Sequence, residues 1–149
     1  CGGEMEPSKE IDALAQQVIG AALEVHRALG PGYQESIYEE ALAFELLRLG
    51  IRFERQKSFR VDYKGHVVGE GRIDFLVDGK LVVELKAIER LQAVHKAQVI
   101  SYLKATALKA TACQIGLLIN FKESLLRGGI QRVIYSSIES WRHGALAAN

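Results

Sequence analysis

The apolar positions of this chain follow two periodicities, which divide it into helical and extended parts. Ile11, Leu14, Ala15, Val18, Ala22, Val25, His26 and Leu29 recur at helical spacing, which predicts an amphipathic helix over residues 9–29. Ser8 stands where it can cap the start, and Gly30-Pro31-Gly32 is a strong stop. Ile37, Tyr38, Ala41, Leu42, Leu46 and Leu49 predict a second helix over about residues 34–49, ended by Gly50. With so short a connection the two should form a helical hairpin.

From Ile51 the period shifts towards two. Phe53 begins an extended segment in which Phe59, Val61 and Tyr63 alternate with Arg60, Asp62 and Lys64. Lys64-Gly65-His66 signals a turn, and Val67-Val68 leads into a strand over Arg72–Val77. Leu81–Ala87 is the strand expected at the centre of the sheet. Residues 91–109 return to a helical pattern, Gln114–Phe121 is an apolar strand containing Gly116, and Ile130–Ile138 reads as a last strand. The Trp141 region reads as a short helix or tail. A strand–helix–strand crossover between residues 81 and 121 requires a parallel pair inside an otherwise antiparallel sheet. The predicted fold class is α/β.

Asp74, Glu84 and Lys86 interrupt the two apolar strands that meet at Asp78-Gly79. A charge in a mostly buried strand is costly unless it is paired, hydrogen-bonded or bound to a metal. Two carboxylates and a lysine on one patch would suit a divalent cation and a polarised water. Whether they meet depends on the turn. A two-residue loop pairs Val77 with Lys80 and sets Asp74 opposite Val83, on the wrong face. A three-residue loop, for instance a type I turn followed by a left-handed Gly79, sets Asp74 opposite Glu84.

Composition narrows the class without naming it. The 149 residues, 48% apolar and 25% charged, suit one globular domain with a hydrophobic core. We expect an N-terminal tail over residues 1–10, a domain over 11–141 and a C-terminal tail over 142–149. Met5 reads as the natural start, with residues 1–4 a remnant; a cysteine at position 1 also fits a mature lipoprotein. No apolar run approaches the roughly 20 residues that span a bilayer, so no membrane partner is expected. Two unpatterned cysteines, Cys1 and Cys113, suit a reducing cytoplasm. The net charge of +1 makes no global case for nucleic acid, but Lys80, Lys86, Arg90, Lys96, Lys104 and Lys109 outnumber Glu84 and Glu89 over residues 80–110. Such a region can contact phosphates, and solvated helix faces explain the same charges.

His95, Gln98 and Tyr102 fall at i, i+3 and i+7, on one face of the predicted third helix. Facing the sheet they would suit phosphate contacts or hydrogen bonds to Glu84 and Lys86. Val94, Ala97, Ser101 and Leu103 would then form the packing surface beside them. His26 belongs to an inward apolar face, which suggests a structural role or support of a nearby polar group. The four histidines have no zinc spacing, and no phosphate-binding loop or nucleophile elbow is present.

Asp74 followed by Glu84-Leu85-Lys86 on the next strand resembles the D…ExK signature of the PD-(D/E)XK nuclease superfamily. Gln98-Val-Ile-Ser-Tyr102 resembles the QxxxY motif of its RecB-like branch, and Gly32-Tyr-Gln-Glu35-Ser-Ile-Tyr38 matches the motif that names the GxxExxY proteins. His26 with Leu29-Gly-Pro-Gly32, His95, and Leu118-Ile-Asn120-Phe121 are similar to that group. The D…ExK pattern alone is weak; the ordered set, from Ile11 to about Phe121, is specific.

The resemblance implies a restriction-endonuclease-like core, a mixed sheet flanked by helices in the order αβββαβ, here with an extra N-terminal helix. It implies a nuclease hydrolysing phosphodiester bonds, with Asp74 and Glu84 as ligands to Mg²⁺ or its substitute Mn²⁺ and Lys86 as the third catalytic residue. Lys86 would orient the attacking water or offset developing charge, or it would merely pair with a carboxylate. Glu35 would reach the metal from the second helix, although a carboxylate in a first helical turn is also explained by the helix dipole. Tyr38 would pack beneath the site or contact a phosphate. The expected partner is nucleic acid, DNA in the first instance, with a homodimer or partner protein compatible. The rival reading is a nucleic-acid-binding or regulatory module that keeps the fold but cleaves nothing.

Overall fold

The computed structural model describes residues 8–105 and 113–136. Ser8 caps the first helix, α1 (Lys9–Leu29), its hydroxyl accepting from the Ile11 N–H. Gly30 closes the far end by donating to the His26 carbonyl at 2.7 Å. After a short loop comes α2 (Glu35–Arg48). Strands β1 (Phe53–Tyr63), β2 (His66–Val77) and β3 (Leu81–Lys86) follow, then α3 (Ala93–Ala105), β4 (Cys113–Asn120) and β5 (Ile130–Ser136). A 3₁₀ turn at Leu126–Gly129, which no pattern predicts, precedes β5. The last four residues of the predicted third helix, the end of the last strand, the Trp141 region and residues 1–7 lie outside the described residues.

The five strands lie side by side in chain order, with β3 and β4 parallel and every other neighbour antiparallel. α3 makes the predicted crossover. The result is a three-layer α/β domain of the restriction-endonuclease-like kind. Leu81, Val83 and Leu85 of β3 join Ile115, Leu117 and Ile119 of β4 in the core beneath α1 and α2. Val82 and Leu118 face the other way, against Val99 and Leu103 of α3. β3 is thus buried on both faces, which is why it reads as an apolar run. No helix among the described residues is long and apolar enough to cross a membrane.

α3 differs from the expected packing. Val94, Ala97 and Ser101 are exposed, and the buried residues are Val99 and Leu103. The decisive contact is Gly116, where a Cβ would lie 2.5 Å from Val99 Cγ1. Without a side chain at that point, α3 seats Val99 directly on β4, which sets the rotation of the helix.

Candidate functional site

The β2–β3 connection has three residues, and its register sets Val77 opposite Leu81, Leu76 opposite Val82 and Phe75 opposite Val83. The turn differs from the expected type I: both Asp78 (φ 51°) and Gly79 (φ 67°) are left-handed. Val77 accepts from the Lys80 N–H at 3.0 Å. Aspartate tolerates this backbone better than most residues, and here it is tied down. Its N–H donates to the Arg52 carbonyl at 2.8 Å, and its carboxylate pairs with the Arg52 guanidinium at 2.9 Å. The parity of this turn carries Asp74 to the level of Glu84.

There the two strands part. Backbone pairing ends at Phe75–Val83, and the carboxylates take over. Glu84 Oε1 accepts from the Asp74 N–H at 2.9 Å, and Asp74 Oδ2 accepts from the Leu85 N–H at 2.8 Å. The faces of β2 exchange at the same point. Ile73 packs against α3, whereas Phe75 and Val77 pack beneath α1 and α2; residues two apart in a regular strand would share a face. β1 makes the matching change opposite. Phe53 meets Phe75 and Arg55 reaches α2, but Phe59 packs on Tyr102 of α3. The intervening Gln56 lies opposite the break with φ 51°.

Several charges converge on this splayed edge. Burial pushes the Glu84 carboxyl up to about 8, with the Asp74 charge adding to the rise and the Asp74 N–H and Lys86 opposing it. Burial likewise raises Asp74, against the hydrogen bonds from Leu85 and Gln56; Glu39 adds to the rise and Lys86 counters it. Glu35, the first residue of α2, is exposed as a whole. Its carboxyl is still raised by partial burial, with Lys86 opposing and Asp74 and Glu39 reinforcing. Lys86 is the cation these carboxylates share, yet it closes no ion pair with a described carboxylate. The chain two residues beyond it is anchored from β4: buried Asn120 accepts from the Ile88 N–H and donates to the Ile88 carbonyl. Phe121 N–H donates to the Lys86 carbonyl at 2.8 Å.

The remaining predicted residues separate. Tyr102 comes to the site: its phenol is raised by burial first, then by the charges of Glu84 and Asp74. Gln98 lies one turn earlier, exposed and with no hydrogen bond to Glu84 or Lys86. His95 Nδ1 accepts from the Gln92 N–H at 2.8 Å while its own N–H donates to the Gln92 carbonyl. The first of these bonds is the side-chain half of a capping box; the second runs to the backbone, so His95 serves the start of α3. Tyr38 is fully buried and stacked on Phe121 at 4.4 Å. Its hydroxyl donates to the Gly30 carbonyl and accepts from the Tyr33 N–H, so it locks the loop that delivers Glu35. His26 joins α1 to the loop after β4 through the Glu123 carbonyl at 2.8 Å.

Two residues of this neighbourhood escaped the sequence reading: Gln56 donates to both Asp74 and Glu39, and Arg55 grips Glu39 and Glu40. Asn120, quoted above only as part of a motif and without a role, holds the chain beyond Lys86. An open groove of about 720 Å³ lined by Leu47, Ile51, Phe53 and Leu76 lies towards the β2–β3 turn and does not include the carboxylates.

Residues 12–133 match the model of the PD-(D/E)XK nuclease superfamily. The chain belongs to that superfamily. The match spans both helices of the hairpin, the whole β1–β3 region and the crossover to β4, so it includes every side chain at the splayed edge. No curated protein matches the chain.

Members of the superfamily use divalent metals, and the donors here can be tested against such an ion. Among the described residues no three side chains of His, Cys, Asp or Glu form a ready-made cage. Mg²⁺, however, is usually held by one or two carboxylates, with waters and substrate phosphate completing its shell. Asp74 and Glu84 offer hard oxygens, and each carboxylate keeps acceptor sites beyond the bonds it makes. Both are raised because negative charge is crowded and desolvated there, the condition that a cation relieves. The donor set fits.

Proposed function

We propose that the protein is a Mg²⁺-dependent nuclease of the GxxExxY type that hydrolyses phosphodiester bonds in DNA, with Mn²⁺ able to replace Mg²⁺. The observation that carries this reading is the meeting of Asp74 and Glu84, within reach of the Lys86 charge, where the pairing of β2 and β3 ends. A structural ion pair would bring Lys86 into contact with a carboxylate. Instead the carboxylates are tied to backbone N–H groups and the ammonium is left to act on something else.

Asp74 and Glu84 would hold the metal, with Glu35 the third carboxylate in reach of its charge. When bound, the cation supplies Lewis acidity and a lowered water pKa. Lys86 orients the attacking water through its ammonium donors and offsets charge that develops on the phosphoryl oxygens. Tyr102, kept as a neutral phenol, stands on α3 beside the two carboxylates, and exposed Gln98 offers a carboxamide one turn away to the incoming backbone. Two unpatterned cysteines suit the cytoplasm as the setting, and a second copy or a partner protein would supply sequence selection that so small a domain lacks.

The test is cleavage of defined single- and double-stranded oligonucleotides with Mg²⁺ or Mn²⁺, alongside calorimetric Mn²⁺ titration. Wild type should cut and bind Mn²⁺, and Asp74→Ala should do neither. Absence of Mn²⁺ binding at millimolar concentration would overturn the reading; nucleic-acid binding without metal or cleavage would favour the non-catalytic module.

A further inference from the structure

Gln56 is an interior residue of an 11-residue strand, yet its φ of 51° lies in the left-handed region. For a residue with a Cβ this conformation costs roughly 1–2 kcal/mol, and such outliers persist only where the surroundings impose them. The backbone turns at the register level where β1 and β2 exchange faces, opposite Asp74. Its side chain is what the turn delivers. Gln56 Nε2 donates to Glu39 Oε1 at 2.8 Å and to Asp74 Oδ1 at 3.2 Å. Ionised carboxylates only accept, so the nitrogen, and not the oxygen, must lie between them; one NH₂ group supplies one proton to each.

The preceding residue completes the fixture. Arg55 Nε and Nη2 both reach Glu39 Oε2, at 3.0 and 2.7 Å. Glu39 is therefore held at both oxygens by adjacent residues of β1, and it stands one helical turn after Glu35 on α2. Asp74 is held at both oxygens as well, by Gln56 and by the Leu85 N–H.

We propose that Gln56 is a positioning residue, which fixes the Asp74 carboxylate for cation binding and ties it, through Glu39, to the helix that carries Glu35. The positioning role rests on the hydrogen bonds alone; its link to the cation rests on the nuclease reading above. A neutral amide is the group suited to this place. It satisfies two carboxylates without adding a positive charge that would compete with the metal, whereas arginine or lysine would repel it.

Gln56→Gly removes the amide and accepts the left-handed backbone without strain, so the fold is expected to survive. Two readouts then apply. In metal-free protein, amide exchange at Leu85 measured by NMR should accelerate by about tenfold, because Asp74 is no longer held against that N–H. Mn²⁺ affinity should fall by about 10–100-fold, the usual effect of removing a group that orients a metal ligand. Gln56→Glu, which replaces a donor with a third carboxylate, should accelerate Leu85 exchange in the same way. A well-folded Gln56→Gly variant with unchanged Leu85 exchange overturns the positioning role. Accelerated exchange in a protein whose wild type binds no Mn²⁺ retains that role and sinks the nuclease reading. Accelerated exchange with unaltered Mn²⁺ affinity overturns the link between Gln56 and the cation.

Discussion

Asp74 and Glu84 hold the parted ends of β2 and β3 together: Glu84 Oε1 takes the Asp74 N–H at 2.9 Å, and Asp74 Oδ2 takes the Leu85 N–H at 2.8 Å. Each carboxylate thus replaces a ladder bond that the separating strands no longer make. The same bonds place two acids side by side in a desolvated setting, which is structurally useful and electrostatically costly at once.

That cost has a pH signature. Folded Glu84 keeps its proton up to about pH 8, whereas its ordinary value is 4.5. Between these values the native chain binds more protons than the unfolded one, so Glu84 lowers metal-free stability as pH rises through the window. The loss is absent below about pH 4.5 and complete above about pH 8. Glu84→Gln mimics the neutral acid; relative to wild type it should gain about 2–4 kcal/mol between pH 5 and pH 8.5. Urea unfolding of both proteins in a chelator checks this, and a constant difference across the two pH values would contradict it.

Lys86→Ala should separate binding from turnover. Removing the ammonium deletes a positive charge that competes with a cation, so Mn²⁺ affinity should hold or tighten. Cleavage at saturating metal should fall by about 10²–10³-fold, the scale seen when a group that stabilises transition-state charge is lost. Calorimetry and single-turnover cleavage read the two effects independently; unchanged cleavage would remove Lys86 from the reaction.

Tyr38→Phe tests the loop before α2. The lost hydroxyl leaves the Gly30 carbonyl and Tyr33 N–H without their partner, which should cost about 1–3 kcal/mol in denaturant unfolding. Mn²⁺ affinity should hold, because the hydroxyl bonds only to the loop backbone and to no carboxylate. A large loss of metal affinity at unaltered stability would instead bring Tyr38 into the site.

Gly116→Ala probes the seating of α3. The new methyl meets Val99 Cγ1 at 2.5 Å; β-branched Val99 is stiff, so the helix is expected to retreat from β4, at about 1–3 kcal/mol. Because α3 also presents Tyr102 towards Glu84 and Asp74, the absorbance titration of that phenol should move back towards its ordinary range. Unaltered stability would mean that Val99 simply changes rotamer.

How far the site was legible depended on what each residue answered to. Asp74, Glu84 and Lys86 stood out because charges in apolar strands need an explanation, and the odd length of the Val77–Leu81 connection followed from requiring the first two to meet. Tyr102 was singled out through spacing on one helix face, although of the packing surface assigned to α3 only Leu103 is used, and Val94, Ala97 and Ser101 face solvent. Gln56 had no such signal. A glutamine in an exposed, charged stretch of strand reads as solvent-facing, and nothing local announces a left-handed backbone there. The stacking of Tyr38 on Phe121 was equally hidden, since 83 residues separate them.

By itself the sequence determined the helical hairpin, the order of elements along the chain, the parallel crossover and the identity of the central charges. Those features rest on periodicity, capping and turn residues, which act over a few positions and are written locally. Only the tertiary structure decided that β2 and β3 part at Asp74, that both strands of the β1–β2 ribbon exchange faces at that level, and that an amide from β1 bridges to α2. Those features arise from long-range packing and from the cost of burying like charges together, and neither is fixed until the distant elements have met.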